Sequence, residues 1–365
     1  MKRMEPIRNS LRYSGTLTLI LTVSFIGYFR LGWSNTGSLN VPRFLHRASV
    51  LHNGKVLVSG GNNYVSGMLN HAELYDPSTG SWTATGTMQN ARHGHTVSTL
   101  RSGKVLAAGG VYLNSAELYD PSTDSWTRTS SMNSIRLWHT ASVLLNGEVL
   151  AVGGQIGSVY LNSSELYDQS METWRVTASM HYARQGHTSL VLNDGNVLVL
   201  GGYNGTNYLT SAELYDPLSE TWTLLSPMNH PRHGHTMSLI GNGSVLVTGG
   251  NIDGNFLSSA ELYVPSSDTW ISIAPMNTAR YDHIASSLTN DRMLVAGGWS
   301  GRSLNSAELY DFSTNTWTMT DSMNYGRQGP SISVLTNGQL LVVGGWSGSA
   351  QLDTAEIYTP LNINK

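Results

Sequence analysis

Arg232-His233-Gly234-His235-Thr236, then Gly241-Asn242-Gly243-Ser244-Val245-Leu246-Val247-Thr248-Gly249-Gly250, then Ala260-Glu261-Leu262-Tyr263 and Trp270 spell out one unit of a repeating text. Asn-Gly between two apolar runs is a strong hairpin signal and predicts a type I′ turn, with positive φ at both central residues. Val245-Leu246-Val247 reads as a buried strand. Glu261-Leu262-Tyr263 alternates with the period of two expected of a third strand. A Pro-Ser turn stops that strand, as at Asp76 to Thr79, and the Trp strand follows. The unit is therefore four short antiparallel strands.

Working outward, the unit recurs along the chain. The Gly pairs end at Gly61, Gly110, Gly154, Gly202, Gly250, Gly298 and Gly345, and the tryptophans are Trp33, Trp82, Trp126, Trp174, Trp222, Trp270 and Trp317. Every Trp stands 28 residues before the second Gly of the next pair, and the period is 44 to 49 residues. Repeats of that length indicate an array of identical supersecondary units. A lone four-stranded sheet leaves two edges and both faces unburied, and radial repetition into a propeller removes the problem. The Gly pair is expected where the second strand ends and backbones approach closely. The Trp is expected to pack between neighbouring blades, and its deletion to cost about 3–5 kcal/mol.

The ends predict how the ring closes. The last unit has Gly344-Gly345 and Ala355-Glu356-Ile357-Tyr358, but the chain stops before its Trp strand. Trp33 to Leu39 matches Trp82 to Met88 in register, so the N-terminal strand is expected to complete the C-terminal blade. The expectation is an all-β fold: a seven-bladed propeller over residues 31–365, following an N-terminal segment at 1–30.

Gly-Gly, then a Tyr, then a Trp seven residues later, as from Tyr75 to Trp82, resembles the kelch repeat family over the whole chain beyond residue 31. The resemblance implies a kelch β-propeller but little chemistry, since such propellers serve as adaptors, actin binders, sugar-processing enzymes and oxidases. The Asn-Gly and Arg-x-Gly-His-Thr style is also similar to secreted or surface kelch proteins related to the galactose oxidase propeller. Enzymes of that kind need a Cys cross-linked to a Tyr beside copper. This chain has no Cys, so that cofactor cannot form. No cofactor and no metal are expected. Kelch adaptors of cullin ubiquitin ligases carry BTB and BACK domains upstream, whereas only about 30 residues precede the first blade strand here.

Residues 1–12 carry Lys2, Arg3, Arg8 and Arg12 against Glu5, and Gly15 to Phe29 is uncharged and mostly apolar. This is a basic n-region followed by an h-region. It is short for a spanning helix, which needs about 20 apolar residues. Export is expected, with the segment either cleaved as a signal peptide or kept as a membrane anchor, and the propeller outside the cytoplasm. Sequons at Asn162, Asn204 and Asn242 fit export, while the absence of disulfides is atypical of it. The net charge of −3 and the absence of a basic patch argue against a nucleic-acid partner. A monomer is expected, touching membrane only through its N-terminal segment.

Six histidines, His46, His95, His139, His187, His235 and His283, share one repeat position; Pro330 takes the seventh. A metal ring is conceivable, but positions spread around a seven-fold axis cannot meet at the ~2 Å a metal requires, so a blade-local structural role is expected. The repeated arginines (Arg43, Arg92, Arg136, Arg184, Arg232, Arg280, Arg327) are read as opening the first strands. They and the glutamates of the third strands are read as buried ion pairs or carbonyl clasps, with an anion-capturing ring at the channel mouth as the alternative.

All length variation falls between the Gly pair and the Glu: 12, 7, 11, 11, 11, 10 and 11 residues. That loop is expected to share a face with the connection between blades, where a particular ligand could be read. The candidates on this face are Trp299, Trp346, Tyr203, Asn251, Arg302 and Gln155, with Tyr281, His93 and His233 from the lead-in to the first strand. Trp299 and Trp346 both occur in Trp-Ser-Gly, apt for stacking on a sugar or anchoring a protein contact; each can instead fold over its own loop. No catalytic constellation is apparent. The expected function is a non-catalytic binding propeller for an unknown protein or carbohydrate ligand. The alternatives are an epimerase-like sugar-processing enzyme using Arg and Glu at the channel mouth, and an intracellular adaptor.

Overall fold

The computed structural model describes residues 32–288 and 292–360. The N-terminal segment read as a leader or anchor lies outside the described residues. Among those described, no helix is long and apolar enough to cross a membrane.

Seven four-stranded antiparallel sheets make up the ring. Blade 4 serves as the pattern: an inner strand Thr188–Val191, a second strand Val197–Leu200, a third strand Ala212–Asp216 and an outer strand Thr221–Leu225. The other inner strands are Arg47–Val50 (blade 1), Thr96–Thr99, Thr140–Val143, Thr236–Leu239, Ile284–Leu288 and Ser331–Val334 (blade 7), and each runs beside the inner strands of its neighbours around a central channel. Blade 7 is completed by Gly32–Asn35, which pairs with Ala355–Thr359 in the register Trp33 opposite Tyr358. The ring closes by the strand that the sequence offered for it.

The second strands are apolar at nearly every position because both faces of a blade are covered by other blades. The hydrophobic clusters accordingly straddle blade boundaries. Leu57, Ala72 and Leu74 of blade 1 pack with Val105, Ala107, Tyr119 and Trp126 of blade 2. Trp82 of blade 1 packs on Leu341, Val343 and Ile357 of blade 7. The repeated Trp thus lies between blades, and it also faces the Tyr opposite it, as in Tyr215–Trp222 at 5.1 Å between ring centroids.

The Gly pairs end the second strands with positive φ, 63° at Gly153 and 90° at Gly154. A Cβ on Gly153 would sit 2.7 Å from the Arg184 carbonyl of the next blade, so the blades could not approach as closely with any other residue.

One expected turn is corrected. In the first Asn-Gly hairpin only Gly54 has positive φ (81°), and Asn53 does not. The Gly54 amide bonds the Leu51 carbonyl at 2.9 Å, and the Leu51 amide bonds the Lys55 carbonyl at 2.8 Å. This is a three-residue loop, a type I turn closed by a glycine bulge, and not a type I′ turn. The Asn side chain contributes differently, its Oδ1 accepting from the Lys55 amide at 3.0 Å.

A channel mouth with irregular chemistry

The repeated polar groups are internal. Arg184 is 0% exposed; its guanidinium donates to the carbonyls of Gly201 (2.7 Å) and Ser211 (3.2 Å) and to Glu213 Oε1 (2.6 Å). The same Glu213 accepts the amides of His181 and Tyr182 in the connection that leads into the blade. The arginine lies in this connection, four residues before the inner strand, and does not open the strand as its spacing suggested. Together Arg and Glu staple the interblade connection to its own blade. All seven arginines are fully buried, and their Glu partners lie 2.6 to 3.0 Å away. They form no anion-capturing ring at the mouth, because each is sealed inside its blade and paired there.

The repeated histidines join neighbouring blades. Nε2 of His139, His187, His235 and His283 meets the hydroxyl of Thr96, Thr140, Thr188 and Thr236 of the preceding blade at 2.8 to 3.0 Å, and His46 meets Ser331 at 2.8 Å. Burial, with help from a neighbouring guanidinium, lowers His46, His139 and His235 to about 3, so these rings stay neutral. Two boundaries depart from the rule. Blade 6 has Ile284 where the hydroxyl would be, and blade 7 correspondingly has Pro330 in place of histidine. Blade 1 has Arg47 there, and His95 of blade 2 is left with neither ring nitrogen bonded.

A second ring lies at the channel mouth, two residues after each repeated Arg. Gly94, Gly186, Gly234 and Gly329 occupy it in four blades, all with positive φ. Leu45, Trp138 and Asp282 occupy it in the other three, at φ 57°, 57° and 50°. Leu and Trp adopt this left-handed conformation at a cost of about 1–2 kcal/mol. Backbone bonds link the positions in sequence: Trp138 to Gly94 (3.0 Å), Gly186 to Trp138 (3.4 Å), Gly234 to Gly186 (3.2 Å), Asp282 to Gly234 (2.9 Å) and Gly329 to Asp282 (2.9 Å). Among the described residues this collar runs from blade 2 to blade 7 and does not join Leu45 of blade 1.

Beneath the collar is a cavity of about 490 Å³, lined by Leu45, Arg47, Trp138, Gln185, His233, Tyr281, Asp282 and Pro330 together with the structural histidines. Arg47 donates through Nε to the His95 carbonyl (3.0 Å) and through one terminal nitrogen to the His46 carbonyl (3.3 Å). Burial lowers its guanidinium, opposed by Asp282. The Asp282 carboxyl is pushed up to about 6 by burial, against the Gln328 amide that donates to it at 3.1 Å and the Arg47 charge. Burial also raises the Tyr281 phenol and lowers His233.

The candidates read from the sequence all lie on this face. Bridges pair Tyr281 with Trp299, His233 with Asn251 and Gln185 with Tyr203, which confirms that the variable loop shares a face with the interblade connection. Tyr281 and His233 line the cavity. Trp299, Asn251 and Tyr203 pair with the lining residues Tyr281, His233 and Gln185, Gln155 pairs with Leu137, and His93 lies 6.1 Å from Trp138 between ring centroids, while Arg302 is not among the lining residues. Trp346 is half-buried against Phe44 and Tyr64, at 6.1 and 5.1 Å between centroids, and pairs with Gln328. Trp299 is half-buried and Arg302 exposed. The Tyr203 hydroxyl donates to the Gly205 carbonyl at 2.8 Å within its own loop. Four residues of the mouth escaped the sequence reading: Leu45, Arg47, Trp138 and Asp282. Their signal was present as departures from the repeat, at a position that is Gly in the other four blades and at one that is mostly Thr.

The KLHDC2/KLHL20/DRC7 Kelch-repeats domain matches residues 138–345, more than half of the chain, and the Kelch motif matches residues 43–89 and 91–133. The chain belongs to the kelch-repeat family, whose propellers support binding and interaction roles. No curated protein matches it. Among solved structures, a fungal alcohol oxidase with catalytic diversity among the AA5 family, in complex with copper, superposes with a TM-score of 0.75 over 91% of this chain and 77% of its own, at 17% identity. A likeness at that identity shows the shared fold. Among the described residues no group of three or more His, Asp or Glu side chains is placed to hold a metal ion.

Proposed function

We propose that this propeller is a non-catalytic binding module that recognises a protein or glycan through the face formed by its variable loops, acting as a monomer displayed outside the cytoplasm. One contrast carries the reading. The repeated Arg and Glu groups are consumed inside the blades, while the side chains that differ from blade to blade collect on one face around the channel mouth. Aromatic groups dominate there: Phe44, Tyr64 and Trp346 form one cluster, and Tyr160, Tyr203 and Tyr208 another, with centroids 4.9 to 6.1 Å apart. Such surfaces serve as stacking platforms and interface anchors. The epimerase-like alternative depended on Arg and Glu at the mouth, and those residues are internal.

The test is a glycan array and a purified-protein binding screen with the full chain, beside the double variant Trp299→Ala/Trp346→Ala. Binding that disappears in the variant at an unchanged melting temperature supports the reading. Binding equal in both proteins, or a variant that simply melts earlier, assigns the tryptophans to structure. The basic-then-apolar pattern of residues 1–29 supports display outside the cytoplasm. Resistance of the protein to external protease in intact cells would overturn that part.

A further inference from the structure

We propose that the cavity at the channel mouth binds a small zwitterion, such as a free α-amino acid with an apolar side chain, its anionic group on Arg47 and its cationic group on Asp282. This site opens on the same face as the variable loops but rests on Arg47 and Asp282 and not on Trp299 or Trp346, so each reading can fail without the other.

Arg47 is not demanded by the fold. The other six blades manage with Thr96, Thr140, Thr188, Thr236, Ile284 and Ser331 in the same place. Its presence deprives His95 of the hydroxyl that serves the corresponding histidines, and His95 is the one repeated histidine among the described residues whose buried Nε2 has no partner. One of its terminal nitrogens makes no bond among the described residues, and the residue lines the cavity. A guanidinium set into a wall of hydroxyls, at the expense of a buried histidine, is poised for a partner that the protein does not supply.

Asp282 departs from the repeat in the same way. It replaces a glycine at a left-handed position and lines the same cavity. Its carboxyl accepts from the Gln328 amide at 3.1 Å. Arg47 and Asp282 attract one another yet form no direct ion pair. Charges partly withdrawn from water are costly unless paired, and here two half-buried opposite charges line one cavity with no ion pair between them. A simple anion would meet Arg47 but be repelled by Asp282, and a simple cation would meet the reverse. A neutral polyol would desolvate both and neutralise neither. A ligand carrying both charges a few bonds apart satisfies both walls at once. Among the remaining lining residues, Leu45, Trp138 and Pro330 offer apolar surface for a hydrocarbon side chain. The volume, about 490 Å³, falls within the roughly 300–1,000 Å³ usual for small-molecule pockets.

The experiment is isothermal titration calorimetry on the full chain with the free amino acids, then with leucine, N-acetyl-leucine and leucinamide side by side. Saturable binding of an apolar amino acid is expected, weakened at least about tenfold by blocking either end. Two variants restore the repeat's own residues and so should fold: Arg47→Thr, which also gives His95 a hydroxyl, and Asp282→Gly. Each should lose the binding with no fall in melting temperature. The double variant Trp299→Ala/Trp346→Ala should retain it, which separates this site from the loop face. No heat with any free amino acid overturns the proposal. So does an N-acetyl or amide derivative that binds as tightly as leucine, or binding that survives both Arg47→Thr and Asp282→Gly.

Discussion

Blades 3 to 5 and the sector from blade 6 through blade 7 to blade 1 are built from the same strands, but their inner walls differ. In the first region each boundary repeats one solution: a neutral histidine on a threonine hydroxyl, with glycine at the mouth except for Trp138. In the second, Ile284 and Pro330 stand at the positions where a hydroxyl and a histidine meet elsewhere, Arg47 strands His95, and Asp282 and Leu45 occupy left-handed positions that glycine would fill without strain. Closing the ring requires the strands, the Gly pairs, the Trp and the Arg–Glu staple, and every blade keeps them. The mouth positions are free to vary because the collar uses only backbone groups, and variation there changes the cavity without changing the blade. Strain and unpaired polar groups that survive at such positions point to function.

The comparison can be broken most severely at the closure. Deleting residues 1–42 removes the outer strand of blade 7 and the packing of Trp33. The loss should approach the whole net stability of a domain, ~5–15 kcal/mol, and calorimetry should show the cooperative transition abolished. A truncated protein that melts with the intact one would mean that closure contributes little.

A staple tests what all blades share. Glu213→Ala leaves Arg184 charged and buried without its partner and should cost about 3–5 kcal/mol in urea unfolding. The effect should be similar for Glu308→Ala in the irregular sector, because the staple is the same there. A large difference between the two would show that the sectors differ in their scaffold as well as their lining.

Asp282 gives the irregular sector a pH signature. Its folded value is raised from 3.8 to about 6, so the native state holds the proton more tightly than the unfolded chain. That stabilisation is fully present below about pH 3.8 and is lost as pH rises through about 6. Asp282→Asn should therefore gain stability relative to the natural protein between pH 4 and pH 7, by about 1–3 kcal/mol. The groups facing it are Arg47, which stays charged, and Tyr281 and the lowered histidines, which stay neutral across that window. A gap that does not change with pH would show that the carboxyl is not desolvated.

The smallest effect comes from exchanging the two kinds of collar residue. Gly329→Ala meets no neighbouring atom, so its cost is the left-handed backbone alone, about 1–2 kcal/mol. Trp138→Gly relieves the same strain and should gain up to about 1 kcal/mol. Urea midpoints decide both. A destabilised Trp138→Gly would show that the indole contributes packing that outweighs its backbone cost.

Much of the fold was legible because the information is local and repeated. Gly-Gly, Glu-Leu-Tyr and Trp mark the same strand ends in every unit, and the position of Trp33 shows how the ring closes. The hairpin type was misread because Asn-Gly serves two turn geometries, and loop length, set by pairing Leu51 with Lys55, selects between them. The loop face was legible from length variation. The mouth was not, since each of its residues looks like an isolated departure from the repeat until the ring is closed.

The sequence by itself determined the number of blades, the strands within each, the residues that close the ring and the face on which the blades differ, because each depends on patterns within one repeat period. The tertiary structure alone decided which hydroxyl each histidine meets, that the arginines are sealed inside, and that Arg47 and Asp282 line one cavity. Those facts depend on the curvature of the ring, which brings blade 6 near blade 1 across a channel, and no spacing along the chain encodes that approach.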